Sequence, residues 1–596
     1  MNSTSYQHRH VRDAAAAQRL IRTLDVNAAA VDADAKSHQP DGDAIALARV
    51  GSAAEYFALR QKLVDHEKSL DFAHSCRLAA SPLERDVDAL IQRLKQQDAT
   101  DVYQQAEPRR GCGGQLHPRF AGDHFLSNEP LIARTRLFQV ASMMPKGAHL
   151  HIHFNACLLP HVLLDIAKGM DRMFITSDMP LVPTNSFENL EKCELQFSIL
   201  SPENESPGNI FSNDYQPRQT MRYTDFLEQF PRYCSSAKPV EQWLMDKLVF
   251  SEEEAHGSLQ TATGAWEKFN GRTRMMKGLF NYETAYRRYT RLCLEDFVKD
   301  NIQYAEIRPN FMRSNQLYTD DGSGTIDNEG IMRIIIDEVR SFQADARKRG
   351  LCFGGLKVIY CTPRSFPPPK VKEALLECIE FKKKWPEWIA GFDLVGEEGK
   401  GRPLKDFVPE FLEFIQLCNA QRLDIPFLFH CGETLEMGTE TDGNLVDALL
   451  LNSRRIGHGF ALNKHPYIME QMKARNICLE VCPISNEILG LTPRVDGHSM
   501  YSLLANNVHC TVNSDNGTLF RSSLSHDFYQ VMVGKADMDL YGWKQLIMWS
   551  IEHACVDEAE RRELQAMWES QWKFFLENVM KLYGSEVSQE GRTTHL

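Results

Sequence analysis

Nowhere in its 596 residues does the chain reach the run of about 18 consecutive apolar residues that a membrane-spanning helix needs, which excludes a helical integral membrane protein. Positive charge is also scarce. The 67 Lys and Arg stand against 80 Asp and Glu, a formal net charge of −13, and this argues against a surface built for nucleic acid. Cysteine is present but not arranged: the 15 residues are odd in number, dispersed, and include no Cys-x-x-Cys pair, which fits reduced thiols better than a disulfide framework. The opening MNSTSYQHRHVRDAAAAQRL has no apolar core of a secretory signal, so the expected location is cytoplasmic. Sequons at Asn2, Asn204 and Asn516 would matter only in a secreted chain. No internal repeat is visible.

What remains is ordinary globular material. Charged residues make up 25% of the chain and apolar ones 43%, enough to exclude disorder over most of its length. Residues 1–50, rich in Ala, Asp, His and Gln without a sustained amphipathic pattern, read as disordered. Residues 51–130 read as an N-terminal helical extension, from AAEYFALRQKLVDHE and LERDVDALIQRLKQQ, whose apolar residues recur at three and four positions. Such helices need a partner surface, and a homodimer is expected.

Over 131–585 short apolar runs alternate with amphipathic helices. Eight runs stand out, at 147–154, 302–310, 355–363, 389–397, 427–433, 455–461, 477–485 and 508–515. Continuous apolar strands separated by helices are parallel strands covered on both faces. Eight such units predict an α/β fold of (β/α)₈ type. The interval from the first run to the second is too long for one crossover, and its Pro- and Asn-rich text predicts an inserted subdomain at about 165–225.

Ionisable residues crowd the C-terminal ends of these runs, where barrel enzymes build their sites. The first ends His149-Leu150-His151-Ile152-His153, and strict alternation would turn all three imidazoles into the barrel. The fifth carries His430-Cys431-Gly432-Glu433, the sixth Gly457-His458-Gly459, and the eighth Asn513-Ser514-Asp515-Asn516. A His-x-His pair, a third His and an Asp from separate strands offer a divalent transition metal a mixed imidazole–carboxylate shell, of the kind zinc favours. Any one of these histidines alone would be weak evidence. Four elements at matching strand ends are not.

The segments MPKGAHLHIHFNA, FHCGET, GTETDGNLVDALLLNSRRIGHGFALNKHP, EVCPISNEILGL and VNSDNGTLF resemble the metal-dependent adenosine deaminases of the amidohydrolase superfamily, and within them the adenosine deaminase-related growth factor branch. The resemblance covers roughly residues 130–580. It implies one Zn²⁺ per chain and hydrolytic deamination of a 6-aminopurine nucleoside, a small-molecule substrate. It further implies that His151, His153, His430 and Asp515 ligate the metal, with Asp515 also accepting from the attacking water. Glu433 would protonate the purine ring nitrogen beside the reacting carbon. His458 would orient the attacking hydroxide, and Gly396 would offer its N–H to the purine. Asn155 and Asn516 stand where the family usually has Asp, contacting the sugar hydroxyl and the purine imidazole nitrogen, so substrate choice is where this chain departs. An AMP or modified-purine deaminase is the alternative enzyme, and a non-catalytic binding protein on the same barrel is the alternative outside catalysis.

Overall fold

The computed structural model describes residues 50–590 apart from 112, 183–187, 235–237 and 313–315, with side chains up to residue 584. The expected disorder of residues 1–50 therefore lies, but for Val50, outside the described residues. The chain divides into two compact units, residues 1–69 and 70–596, and the division falls inside the segment read as a helical extension. In the first unit the described structure is a helix, Ala53–Ser69, with no buried residue.

In the second unit all eight apolar runs are strands: Ala148–His153 (β1), Tyr304–Arg308 (β2), Gly355–Pro363 (β3), Ile389–Val395 (β4), His430–Cys431 (β5), Arg455–His458 (β6), Cys478–Val481 (β7) and Cys510–Val512 (β8). Every residue of β2, β4, β6, β7 and β8 is buried, as expected for strands covered on both faces. They pair in parallel as two four-stranded sheets, β1-β2-β3-β4 and β5-β6-β7-β8. Single parallel bridges join the halves on either side, Phe392 with Phe427 and Ile152 with Asp515.

The helices between strands carry their own start and stop signals. Asn328–Arg349 begins where the Asp327 side chain accepts from Gly330 N at 2.8 Å, and ends in Arg347, Lys348 and Arg349 before Gly350, which takes a left-handed φ of 65°. The acid caps free N–H groups, the cations face the carbonyl end, and glycine turns the chain without a Cβ penalty.

Between β1 and β2 lies an antiparallel sheet, Met173–Ser177 flanked by Leu195–Ile199 and Met221–Arg222. Helix Ala262–Phe280 presses on it so closely that a Cβ on Gly278 would stand 1.6 Å from Phe197 O. Only glycine permits that approach. The same helix brings Arg274 to Glu194 at 2.8 Å.

Candidate active site

β1 aims His151 and His153 at the barrel axis. His151 is fully buried, and its Nδ1 donates to Glu480 Oε2 at 2.7 Å. Its Nε2 is buried, has no hydrogen-bond partner, and faces Asp515 Oδ1 at 3.5 Å. His153 Nε2 lies 3.3 Å from both Asp515 Oδ1 and His430 Nε2. His430, on β5, donates from Nδ1 to Asp393 Oδ2 at 2.7 Å. A carboxylate behind a histidine fixes the tautomer and turns the other nitrogen's lone pair forward, the arrangement that prepares imidazoles for a metal.

His149 departs from the expectation of strict alternation. Its ring lies 6.2 Å from Phe297 on the flanking helix Glu283–Lys299, and Ser514 N donates to its Nε2 at 3.1 Å. The ladder between β1 and β2 shifts register between His149 and Ile152, which breaks the alternation.

Asp515 follows β8 with φ 57°, and His458 ends β6 with φ 60°. Both are non-glycine residues in the left-handed region, conformations that persist where the surroundings over-determine them. Ser485 Oγ donates to Asp515 Oδ2 at 2.7 Å, and Asn516 Nδ2 to its Oδ1 at 2.8 Å. Burial works against the Asp515 charge. The nearby imidazoles of His151, His153 and His458 overcome it and hold the carboxyl well below its usual range. Burial pushes His153 down to about 4, so its ring is neutral at physiological pH and fit to ligate.

Ligand atoms of His151, His430, His458 and Asp515 all lie within 4.8 Å of one another. His458 nevertheless turns its Nε2 to Glu433 Oε1, 3.4 Å away, whereas His153 Nε2 sits between His430 and Asp515. The unpartnered His151 nitrogen, the imidazoles of His153 and His430, whose charge burial opposes, and one carboxylate make a donor set that suits a divalent ion such as zinc.

Glu433 is buried, and its carboxyl is pushed well above the usual range by burial first and then by Asp515 and Glu398. Glu398 also fixes the segment that carries it: its carboxylate accepts from Gly432 N at 3.1 Å and Glu433 N at 2.6 Å. Gly432, at φ 73°, lets those two successive N–H groups converge on one carboxyl group. Gly396, just past β4, has φ 102° and nothing within 4 Å of where a Cβ would stand. Asn155 is apart from the cluster. It lines a neighbouring cavity of about 210 Å³ with Arg274, Lys277, Asn281, Tyr286 and Asn310. Asn516, the sequon residue in the site, is 6% exposed with its amide engaged on Asp515.

The floor beneath the histidines was missed from sequence. Arg308 pairs with Asp393 at 2.9 Å and Glu480 at 2.6 Å, and Arg455 pairs with Glu480 and Glu306 at 2.6 Å each. All five side chains are wholly buried. The resulting order, Glu306–Arg455–Glu480–Arg308–Asp393, alternates in sign and ends each orienting carboxylate on a guanidinium. A signal was available. Each of these residues is an ionisable group inside a run otherwise apolar, and a charge on a doubly covered strand must be paired.

A parallel barrel that gathers a His-x-His pair, a third histidine and an aspartate at its strand ends, beside a buried carboxyl, is the architecture of a metal-dependent hydrolase. The adenosine deaminase family model matches residues 244–569, and with that match the chain belongs to the adenosine deaminase family of hydrolytic deaminases. It is 30% identical to an adenosine deaminase 2 from Sus scrofa over 464 residues, 77% of this chain and 84% of the relative. It is 36% identical to an adenosine deaminase from Lutzomyia longipalpis over 450 residues, 75% and 80% of the two chains. The solved structure of an adenine deaminase from Arthrobacter aurescens aligns at 17% identity and a TM-score of 0.48, over 72% of this chain and 99% of that one. Among the described residues no helix is long and apolar enough to cross a membrane.

Proposed function

We propose that the protein deaminates adenosine or 2′-deoxyadenosine to the 6-oxo nucleoside and ammonia, with one zinc ion held by His151, His153, His430 and Asp515. The observation that carries this reading is the convergence of three imidazole Nε2 atoms and the Asp515 carboxylate, with His151 and His430 each locked from behind by a buried acid, beside Glu433, whose carboxyl burial pushes well above its usual range. Bound there, zinc would act as a Lewis acid and bring the pKa of water towards about 7.

The chain's own residues supply the rest. Ammonia leaves poorly and the purine ring is electron-rich, so attack at the amino-bearing carbon needs an acid as well as a nucleophile. Glu433 holds its proton at rest because burial and the neighbouring Asp515 and Glu398 oppose its charge. Donation of that proton to the adjacent ring nitrogen makes the carbon electrophilic, which is general acid catalysis. Asp515, anchored by Ser485 and Asn516, accepts a proton from the attacking water. Asn155 and its cavity take the sugar side, and Gly396 offers its N–H to the base.

The fourteen cysteines of the described region are free thiols, which supports a reducing, cytoplasmic setting for this reading. The test is ammonia release from adenosine, 2′-deoxyadenosine, AMP and N6-substituted nucleosides by zinc-loaded protein, with Glu433→Gln as control. Release from the nucleosides that falls by about 100-fold or more in the variant is expected. Release confined to AMP or to a modified purine would refute the substrate assignment, and silence across the panel would refute the catalytic reading.

A further inference from the structure

Behind His458 runs a line of buried polar groups whose hydrogen bonds can be assigned a direction from one end. The end is a backbone amide, which can only donate. Met500 N donates to His498 Nδ1 at 2.9 Å, so that nitrogen carries no proton. In a neutral ring the proton then sits on Nε2, which lies 2.9 Å from the Asn486 side-chain oxygen. The Asn486 oxygen must therefore accept from His498, and its nitrogen is left to donate to His458 Nδ1, 3.1 Å away. His458 Nδ1 is thereby an acceptor, and its own proton belongs on Nε2.

All three side chains are buried, with Asn486 wholly so, and the His498 ring is held edge-on to Phe460 at 5.1 Å. Burial keeps the His498 ring neutral. Direction is thus transmitted from a helix start, Met500–Ala505, to His458 through two buried side chains.

We infer that Asn486 and His498 are positioning residues that fix His458 as the Nε2–H tautomer, so that His458 donates a hydrogen bond to the attacking oxygen instead of removing its proton. A proton on Nε2 would also keep His458, whose ring lies among the possible ligand atoms, out of the ligand set proposed above. The inference rests on the deaminase reading for the identity of that oxygen, while the tautomer itself does not depend on substrate.

Asn486→Asp is the decisive variant. It preserves shape but offers only acceptor atoms, so His458 Nδ1 must take the proton and Nε2 must turn a lone pair to the site. Selective ¹⁵N-histidine labelling is expected to show a protonated Nε2 on His458 in the parent and a protonated Nδ1 in the variant. The kcat is expected to fall by about 10²–10⁴-fold, the scale of a wrong catalytic tautomer. KM should stay within about threefold and zinc at one per chain. His498→Leu, which frees Asn486 to rotate, should also lower kcat, and His498→Gln, which keeps a donor facing Asn486, should restore most of it.

A parent His458 protonated on Nδ1 overturns the inference. So does an Asn486→Asp enzyme with kcat within about threefold of the parent, or one whose loss tracks its zinc content. If the parent releases no ammonia from any substrate the functional reading fails by itself, and the ¹⁵N spectrum still decides the tautomer.

Discussion

Replacing Glu480 by Gln tests whether the charged floor of the barrel prepares the metal site. The parent carboxylate accepts from His151 Nδ1 at 2.7 Å, Arg308 Nη2 at 2.6 Å and Arg455 Nε at 2.6 Å, and none of the four side chains is exposed. Gln keeps the volume but supplies a single acceptor oxygen, and its amide nitrogen brings two more donors to a point where three already meet. Each guanidinium loses one of its two carboxylates in a place water cannot reach, Arg308 keeping Asp393 and Arg455 keeping Glu306. Breaking a buried pair so that one charge is left alone costs about 3–5 kcal/mol, and the charge that remains paired here puts the cost below that. His151 loses the acceptor that holds its Nδ1 proton, and loss of such a partner costs about 10–100-fold in metal affinity. Two measurements follow: zinc retention against a chelator series, and unfolding of the zinc-free protein in urea. Glu413→Gln is the control. Glu413 meets Lys372 at 2.7 Å, but both side chains are more than 40% exposed, so the same distance is worth less than about 1 kcal/mol there. If Glu480→Gln binds zinc as the parent does and unfolds at the same urea concentration, the floor is not what prepares the site.

Further outcomes are open to measurement. Asn516→Asp should shift the ratio of kcat/KM values towards adenosine over AMP, because the amide that now donates to Asp515 would become a second anion beside it; unchanged ratios would show that Asn516 does not set specificity. Glu487, buried with one oxygen on Phe125 N at 2.6 Å and the other unpartnered, has its pKa pushed up to about 8 by burial. Its folded pKa is raised, so the native state keeps a proton that the unfolded chain loses, and stability falls as pH rises from about 4.5 to about 8. Glu487→Gln should remove that fall and be the more stable protein at pH 8, by up to about 4 kcal/mol; urea midpoints at pH 5 and pH 8 that move in parallel for parent and variant would refute it.

The barrel was legible because each strand is covered on both faces and so reads as an apolar run, but the runs overstate the strands. The fifth run spans 427–433, yet only His430 and Cys431 join the ladder, opposite Gly457 and His458. Before them Phe427 makes a lone bridge to Phe392, and after them Gly432 turns left-handed. Burial is what the sequence pattern reports, and burial extends past hydrogen-bonded pairing. The acids and histidines at strand ends could be read from motif and position. Arg308, Asp393 and Glu480 could not be read that way, because their partners are 85 and 172 residues away and no local spacing links them. Ser485 and Asn486 sit in plain view in the PISNEI segment, but their roles depend on a helix start folded against the end of β7, which periodicity does not express.

The two four-stranded sheets touch through one bridge on each side, so hydrogen bonding alone would make the joins the weakest lines in the ring. Two of the buried ion pairs cross between the sheets: Arg308 of β2 reaches Glu480 of β7, and Arg455 of β6 reaches Glu306 of β2. Neither half can therefore be cut free as a self-sufficient module. Residues of the first half would leave Glu306 without its guanidinium, and the second would leave Glu480 short of one of its two. Exchange of either half for that of another barrel is closed to this chain unless the donor half brings matching charges, and a split version should regain its shape only when both pieces are present together.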